Sequence, residues 1–373
     1  MTDFSVKFVS KKISKVRWRP RANVKSPPST IFASGSWDDQ QNSVSVWKVW
    51  DRLSTEDNGM SEPLLEHEPQ KIFEIPHVGD VTDMQYMSHD LLAVSSSAGG
   101  VAVYKHQPNT EGLSKVCSWD KLHRFAPGST SPCTCISPRD DDWLVSGGED
   151  GHLNVLALGQ REPVQVIEKA DSCTINAVTF LKQMEVLTVS SFGQLKIFDL
   201  RQEPGKGAKI FSVSEGQHTP LLCVDKHPGQ AHVVATGGED GMLTVWDLRK
   251  EKFPMTLLEA HTGAMWEVKF HPHNPHHLFT CSDDGSLWHW DGSAFSNEPM
   301  STFFQGKGKE SEMKDVGISS PWLSLETSRQ KLDIASLLPN KSLPVNSLDI
   351  ETSTLLCGTD SETIYSIDLP MLR

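Results

Sequence analysis

Four groups of residues in this chain have types and spacings that could do chemistry. His218, Thr236 and Asp240 supply the imidazole, hydroxyl and carboxylate of a nucleophilic triad, and His261, Thr280 and Asp284 supply them again. A triad needs an exposed hydroxyl beside an oxyanion hole. Here the set returns one repeat later, each time with a tryptophan behind it, Trp246 and then Trp290. Recurrence at a repeat period argues for structure, so no catalytic residue and no enzymatic activity is expected. His271, His273, His276 and His277 in HPHNPHH could hold a metal, but the prolines and the position between two strand-like runs read as a solvated turn. Cys133 and Cys135 are a close pair without nearby His or Cys partners and read as core. GKGK at 306–309 lacks the Ser or Thr and the strand-to-helix frame of a phosphate-binding loop and reads as a flexible loop. No metal site and no cofactor follows from any of these.

Composition narrows the classes further. With 373 residues, 37% of them hydrophobic, the chain can bury a sizeable core. Its 35 Lys and Arg against 48 Asp and Glu leave a net charge of −13, which repels a phosphate backbone and makes nucleic acid an unfavourable direct ligand. The opening MTDFSVKFVSKK has no apolar run of signal-peptide length, and no stretch is long and apolar enough for membrane insertion. The chain is expected to be soluble and not secreted. Seven cysteines, an odd number without CxxC spacing, read as reduced thiols of cytosol or nucleus.

The elements that carry these residues repeat. VVATGGEDGMLTVWDLR at 233–249 is a short apolar strand, a tight polar turn and a second strand ending in Trp-Asp. The same pattern recurs at 31–47, 91–104, 143–158, 186–201, 277–291 and 355–368, and each copy is preceded by another strand-like run. Residues 47, 104, 156, 198, 246, 290 and 367 take equivalent places, at intervals that fit four-stranded blades of about 40–45 residues plus loops. After the seventh copy only Leu369 to Arg373 remain, too few for a further strand. Phe4 to Ser10 has no place in blade one, so it is assigned as the outer strand of blade seven. That assignment makes residues 1–373 one all-β domain, a seven-bladed propeller closed by its N-terminal strand, with no open edge left at the seam.

Phe198-Asp199, Trp246-Asp247 and Trp290-Asp291, at fixed spacing after their turns, resemble the WD40-repeat family. The resemblance implies four antiparallel strands per blade, a to d from the axis outward. It also implies a hydrogen-bonded tetrad of His, Ser or Thr, Asp and Trp within a blade. His218, Thr236, Asp240 and Trp246 match it in blade five, and His261, Thr280, Asp284 and Trp290 in blade six. Blade three keeps Ser146 and Asp150 but has Leu156 in place of the Trp.

What lies outside the repeat gives this propeller its individuality. Residues 51–70 form a polar, acidic insertion in the c to d loop of blade one, and 307–340 form a longer one that separates blades six and seven. Trp322, Leu323, Leu337 and Leu338 in the second insertion either pack against blade seven or form a partner-docking face. Trp37, in the polar turn SGSWDDQQN, and Trp50, just past a strand end, are candidate partner anchors.

KFVSKKISKVRWRP at 7–20, AVTFLKQMEVLTVSSFGQLKIFDLRQ at 177–202, HVVATGGEDGMLTVWDLR at 232–249 and MWEVKFHPHNPHHLFTCSDDGSLWHWD at 265–291 are similar to the WD-repeat nucleoporins. That resemblance implies a non-enzymatic scaffold subunit of the Y-shaped complex in the outer rings of the nuclear pore complex. It implies a nuclear-envelope location, a helical solenoid nucleoporin of the short arm as partner, and links to nuclear and mRNA transport and to kinetochores in mitosis. Trp246-Asp247-Leu248-Arg249 also fits the WDxR box of propellers that act as substrate receptors of cullin-RING ubiquitin ligases, which is the alternative.

Overall fold

The computed structural model describes residues 4–23, 25–49, 68–107, 112–126, 128–202, 207–213, 216, 218–250, 253–293, 321–323, 332–339 and 343–372. They form seven four-stranded antiparallel sheets. Blade five shows the unit: Leu221–Lys226, Val233–Gly238, Met242–Asp247 and Thr256–Glu259 pair in that order from the axis outward. Its second strand is buried throughout because neighbouring blades cover both faces, which explains an apolar run without alternation. The turn that follows requires Gly241, whose φ is +77° and whose missing Cβ would collide with the His261 carbonyl.

Blade seven is built from both ends of the chain. Phe4–Phe8 lies antiparallel to Thr363–Asp368, with Phe4 opposite Ile367 and Phe8 opposite Thr363. The Val9 amide extends the ladder by donating to the Glu362 carbonyl at 2.8 Å. The expected N-terminal closure is therefore the arrangement observed, with the strand ending two residues before Ser10.

No single core unites the described residues. Buried side chains form seven clusters, and each joins one blade to the next. Val44 and Val46 meet Val81 and Met84 between blades one and two. At the closing seam Trp18, Phe32 and Trp47 meet Leu356 and Ile364 of blade seven. Phe32 stacks on Trp47 at 6.2 Å there, and Trp18 meets Phe32 edge-on at 5.6 Å. An open stack would leave both faces of that seam in water, so burial itself favours the ring. Near the axis the blades converge until no Cβ fits: Gly237 abuts Met265, and Gly358 abuts Ile13.

The second insertion is placed differently from the sequence expectation. Asp333–Ser336 is the outer strand of blade six and pairs with Leu287–Asp291. The long segment therefore lies inside blade six, between its third and fourth strands, rather than between blades six and seven. All four residues of Asp333–Ser336 are exposed, so the strand carries no apolar pattern to announce it. In the first insertion, Gln70 already begins the outer strand of blade one, Gln70–Pro76. Residues 51–67 and the GKGK stretch at 306–309 lie outside the described residues.

Candidate functional site

The innermost strands leave one edge of backbone facing the axial channel, and side chains of the adjoining blade satisfy it. Thr82 donates to the Cys133 carbonyl and Thr134 to that of Ile175. Asn176 donates to Leu221 at 2.8 Å, and Asn346 to Ile13 at 2.9 Å. Carboxylates work in the opposite sense. Asp83 accepts from the Ile136 amide at 3.0 Å, Asp225 from Phe270 at 2.8 Å, Glu267 from Leu348 at 2.8 Å and Asp349 from Trp18 at 2.7 Å.

Buried charge concentrates where the ring closes. Glu267 of blade six reaches past blade seven to Arg17 of blade one at 2.7 Å, and Lys15 adds a second contact at 2.6 Å. Asp83 of blade two stands 3.5 Å from the same guanidinium nitrogen, Nη2. Burial opposes ionisation of Glu267, yet Arg17 and Lys15 hold its carboxyl far below the usual range. Three blades are thus joined through one carboxylate.

Asp225 behaves oppositely. Burial pushes its carboxyl up to about 6 against the pull of Lys269 and of the Phe270 and Lys226 amides. A carboxyl raised from its unfolded value of about 3.9 binds more protons in the folded state, so its stability penalty sets in as pH rises from about 4 to about 6. Asp225→Asn retains an acceptor for Phe270 and should raise stability at pH 7.5 by about 2 kcal/mol. The gain should vanish below pH 4. Urea unfolding at the two pH values checks this, and an equal effect at both would contradict it.

The blade tetrads are met to different degrees. In blade six Thr280 Oγ1 joins His261 Nε2 at 2.8 Å to the donating Trp290 Nε1 at 3.0 Å. Ser286 bonds His261 Nδ1 at 2.8 Å and donates to Asp284, which itself lies 3.4 Å from the same imidazole nitrogen. Blade five departs from the expectation. Trp246 Nε1 donates to Thr236 at 2.9 Å, but His218 is exposed, and no hydrogen bond joins it to Thr236 or Asp240. Its ring is drawn out instead onto Phe192 of blade four, with centroids 4.0 Å apart. Blade three supplies a histidine that sequence spacing missed. His123 bonds Asp150 at 2.8 Å and Ser146 at 3.0 Å. It stands ten residues before its strand, Cys133–Pro138, rather than four as His261 does, so a longer loop hid it. None of these hydroxyls is an exposed nucleophile: Ser146, Thr236 and Thr280 are buried.

Two substitutions separate the blades. Asp284→Ala removes the acceptor shared by Ser286 and the Thr262 amide and should cost about 1–3 kcal/mol. Among the described residues Asp240 accepts only from the Met242 amide, at an exposed turn, so Asp240→Ala should cost less than about 1 kcal/mol. Denaturant midpoints of the two variants measure the difference, and equal losses would mean that blade five holds a full tetrad.

The candidate contact residues fall in unlike places. Trp37 is half-buried: its Nε1 donates to Asp360 of blade seven at 3.0 Å, and Lys12 lies 5.6 Å from its ring. It thus helps clasp blades one and seven. Trp50 lies outside the described residues. Trp322 is a correction to both expectations, packing against blade seven and a docking face. It is 1% exposed, meets Phe270 edge-on at 6.0 Å and donates to the Pro275 carbonyl at 2.8 Å, so it fills the seam between blades five and six. Leu323 packs partly against the same cluster, and Leu337 and Leu338 are buried between blades six and seven.

The remaining motifs resolve into structure. HPHNPHH is not a solvated turn throughout, because His271 and His277 are buried. His271 accepts from the amides of His273 and Asn274, and His277 meets His289 at 3.0 Å. The seven cysteines are unpaired, and burial pushes the Cys135 thiol up to about 12. In Trp246-Asp247-Leu248-Arg249 only Arg249 reaches outward, and it folds back onto Asp247 at 2.8 Å.

Comparison with known proteins is consistent with this geometry. Residues 116–155, 209–247 and 252–291 match the family model described as WD domain, G-beta repeat. Each match runs from the outer part of one blade to the third strand of the next. The GATOR2 complex protein WDR24 of Danio rerio is 25% identical over 270 residues, 71% of this chain and 33% of that protein. Nucleoporin Nup43 of Homo sapiens is 44% identical over 380 residues, covering 98% of both chains, and its Mus musculus counterpart matches to the same extent. With a seven-bladed ring and that identity from end to end, the chain belongs to the Nup43 family of WD-repeat nucleoporins.

Proposed function

We propose that this protein is a non-catalytic scaffold subunit of the nuclear pore complex, seated in the outer ring at the nuclear envelope and binding neighbouring nucleoporins. The observation that carries the proposal is the 44% identity to human Nucleoporin Nup43 over nearly the whole of both chains. The fold suits the role: seven seams and a charged axial network make a stiff disc that offers several faces to partners. The finer reading seats it beside a helical solenoid subunit on the short arm of the Y-shaped complex, with a second site of action at kinetochores in mitosis. Trp37 keeps part of its ring at the surface as a candidate contact, and Trp50 and Leu323 remain candidates beside it.

The test is affinity purification of the tagged protein together with live imaging. Recovery of helical scaffold nucleoporins, fluorescence at the nuclear rim in interphase and kinetochore foci in mitosis are the expected results. Recovery of a cullin adaptor without nucleoporins would overturn the proposal in favour of a ligase receptor.

A further inference from the structure

All seven innermost strands shift register after their first residue. Such a bulge re-aims the side chain it carries. Thr82, Thr134, Asn176 and Asn346 occupy that place in four blades and are spent bonding the backbone of the next blade. Ser14 occupies it in blade one and bonds the Gly35 carbonyl of its own blade at 3.1 Å. Blades five and six break the pattern with Leu222 and Trp266. Trp266 is 38% exposed and lines the channel, and its indole N–H makes no hydrogen bond among the described residues.

A second repeated feature places charge on the turns that border the loops leading to these two residues. In every blade the turn between the second and third strands is bonded to the loop that precedes the innermost strand. In blade five the Glu239 amide donates to the Pro220 carbonyl at 2.9 Å, and in blade six Asp283 donates to Ala264 at 2.9 Å. Each acceptor stands two residues before Leu222 or Trp266. Both carboxylates are exposed, and neither makes an ion pair among the described residues. The corresponding Asp360 of blade seven is already committed to Trp37 and Asn346. Cations deeper in the channel do not offset this charge, because Lys15 and Arg17 are held by Glu267, and Lys269 by Asp349.

We propose that the channel mouth at blades five and six docks an arginine-bearing basic segment of a partner protein. A planar guanidinium stacks on an indole face while its paired N–H groups meet a carboxylate. Leu222 offers apolar surface to the aliphatic part of such a side chain. The net charge of −13 favours a basic partner from a distance. The inference does not depend on which assembly carries the chain.

Fluorescence anisotropy with a fluorescein-labelled arginine-glycine repeat peptide tests it on the full chain, beside lysine-glycine and glutamate-glycine peptides at one ionic strength. Trp266→Thr and Asp283→Ser take residues that other blades carry at the same positions, Thr134 and Ser191, so the fold should tolerate them. Melting curves verify that. Glu149→Ser removes the same charge at the equivalent turn of blade three. The expected results are binding of the arginine peptide, at least tenfold weaker binding by Trp266→Thr, severalfold weaker binding by Asp283→Ser and no change with Glu149→Ser. Four results would each overturn the proposal: undiminished binding by Trp266→Thr, an equal loss with Glu149→Ser, equal affinity for the lysine or glutamate peptide, or a wild-type dimer in sedimentation that Trp266→Thr abolishes, which would make a second copy the occupant.

Discussion

Glu267→Ala should destabilise the protein by about 3–5 kcal/mol, the largest effect expected of any single side chain here. Removing the carboxylate leaves the guanidinium of Arg17, a residue 4% exposed, with the neutral acceptors Ser347 and the Val16 carbonyl and with Asp83 at 3.5 Å as its nearest remaining counter-charge. It also takes the acceptor from the Leu348 amide and from Ser347. Breaking a buried pair costs more than the pair contributes, because the remaining ion has lost its water without compensation. Glu267→Gln keeps an acceptor for Leu348 and should fall between wild type and Ala. Adding Arg17→Ala to Glu267→Ala should cost less than the sum of the two single changes, since the second removal takes away the stranded charge. Chemical denaturation of the four proteins measures this, and strict additivity would contradict the network. The pH dependence has a definite sign. A carboxyl held below its unfolded value contributes stability above that value and loses it as pH falls, so the difference between wild type and Glu267→Gln should narrow under acid.

Deleting residues 1–10 should lower stability by on the order of 5 kcal/mol, from the lost strand ladder and from apolar surface uncovered beside it. The deletion opens the edge of Thr363–Asp368, whose Ile364 and Ile367 are fully buried in the intact ring. A free edge of that composition also invites association, so the truncated protein should aggregate at concentrations where the intact one does not. Lys7→Ala is the control. It removes only the half-exposed pair with Glu68, worth about 0–1 kcal/mol, and leaves the ladder in place. A synthetic peptide of residues 1–10 added to the truncated protein should restore part of the melting temperature, because it binds only the folded ring.

These two effects sit differently with respect to the sequence. The N-terminal clasp was legible because it follows from counting: seven hairpins need a last outer strand, and Phe4 to Ser10 was the unassigned strand-like run. The blade register was legible too, because Trp246 and Trp290 stand at fixed spacing behind local turns. The Glu267 network was not. Arg17 and Glu267 are 250 residues apart, and nothing local to either announces the other. His123 was hidden by loop length, and His218 was misassigned because it stands three residues before its strand, one fewer than His261, and its ring lies on Phe192 of blade four. Trp322 and Asp333–Ser336 share one cause. Both belong to elements separated from their blade by a long insertion, so the repeat period could not place them. Local pattern therefore identified the blades, and long-range contacts decided how they are joined.

The most direct test of the closed ring is amide hydrogen exchange of the intact protein, resolved to residues 4–9 and 363–367. If the first strand clasps the last blade, amides of Phe4–Phe8 and of Val9, bonded to Glu362, should exchange far more slowly than a free terminus and together with those of Thr363–Asp368. Exchange of residues 4–9 at the rate of an unstructured peptide, with the Thr363–Asp368 strand still protected, would contradict the account.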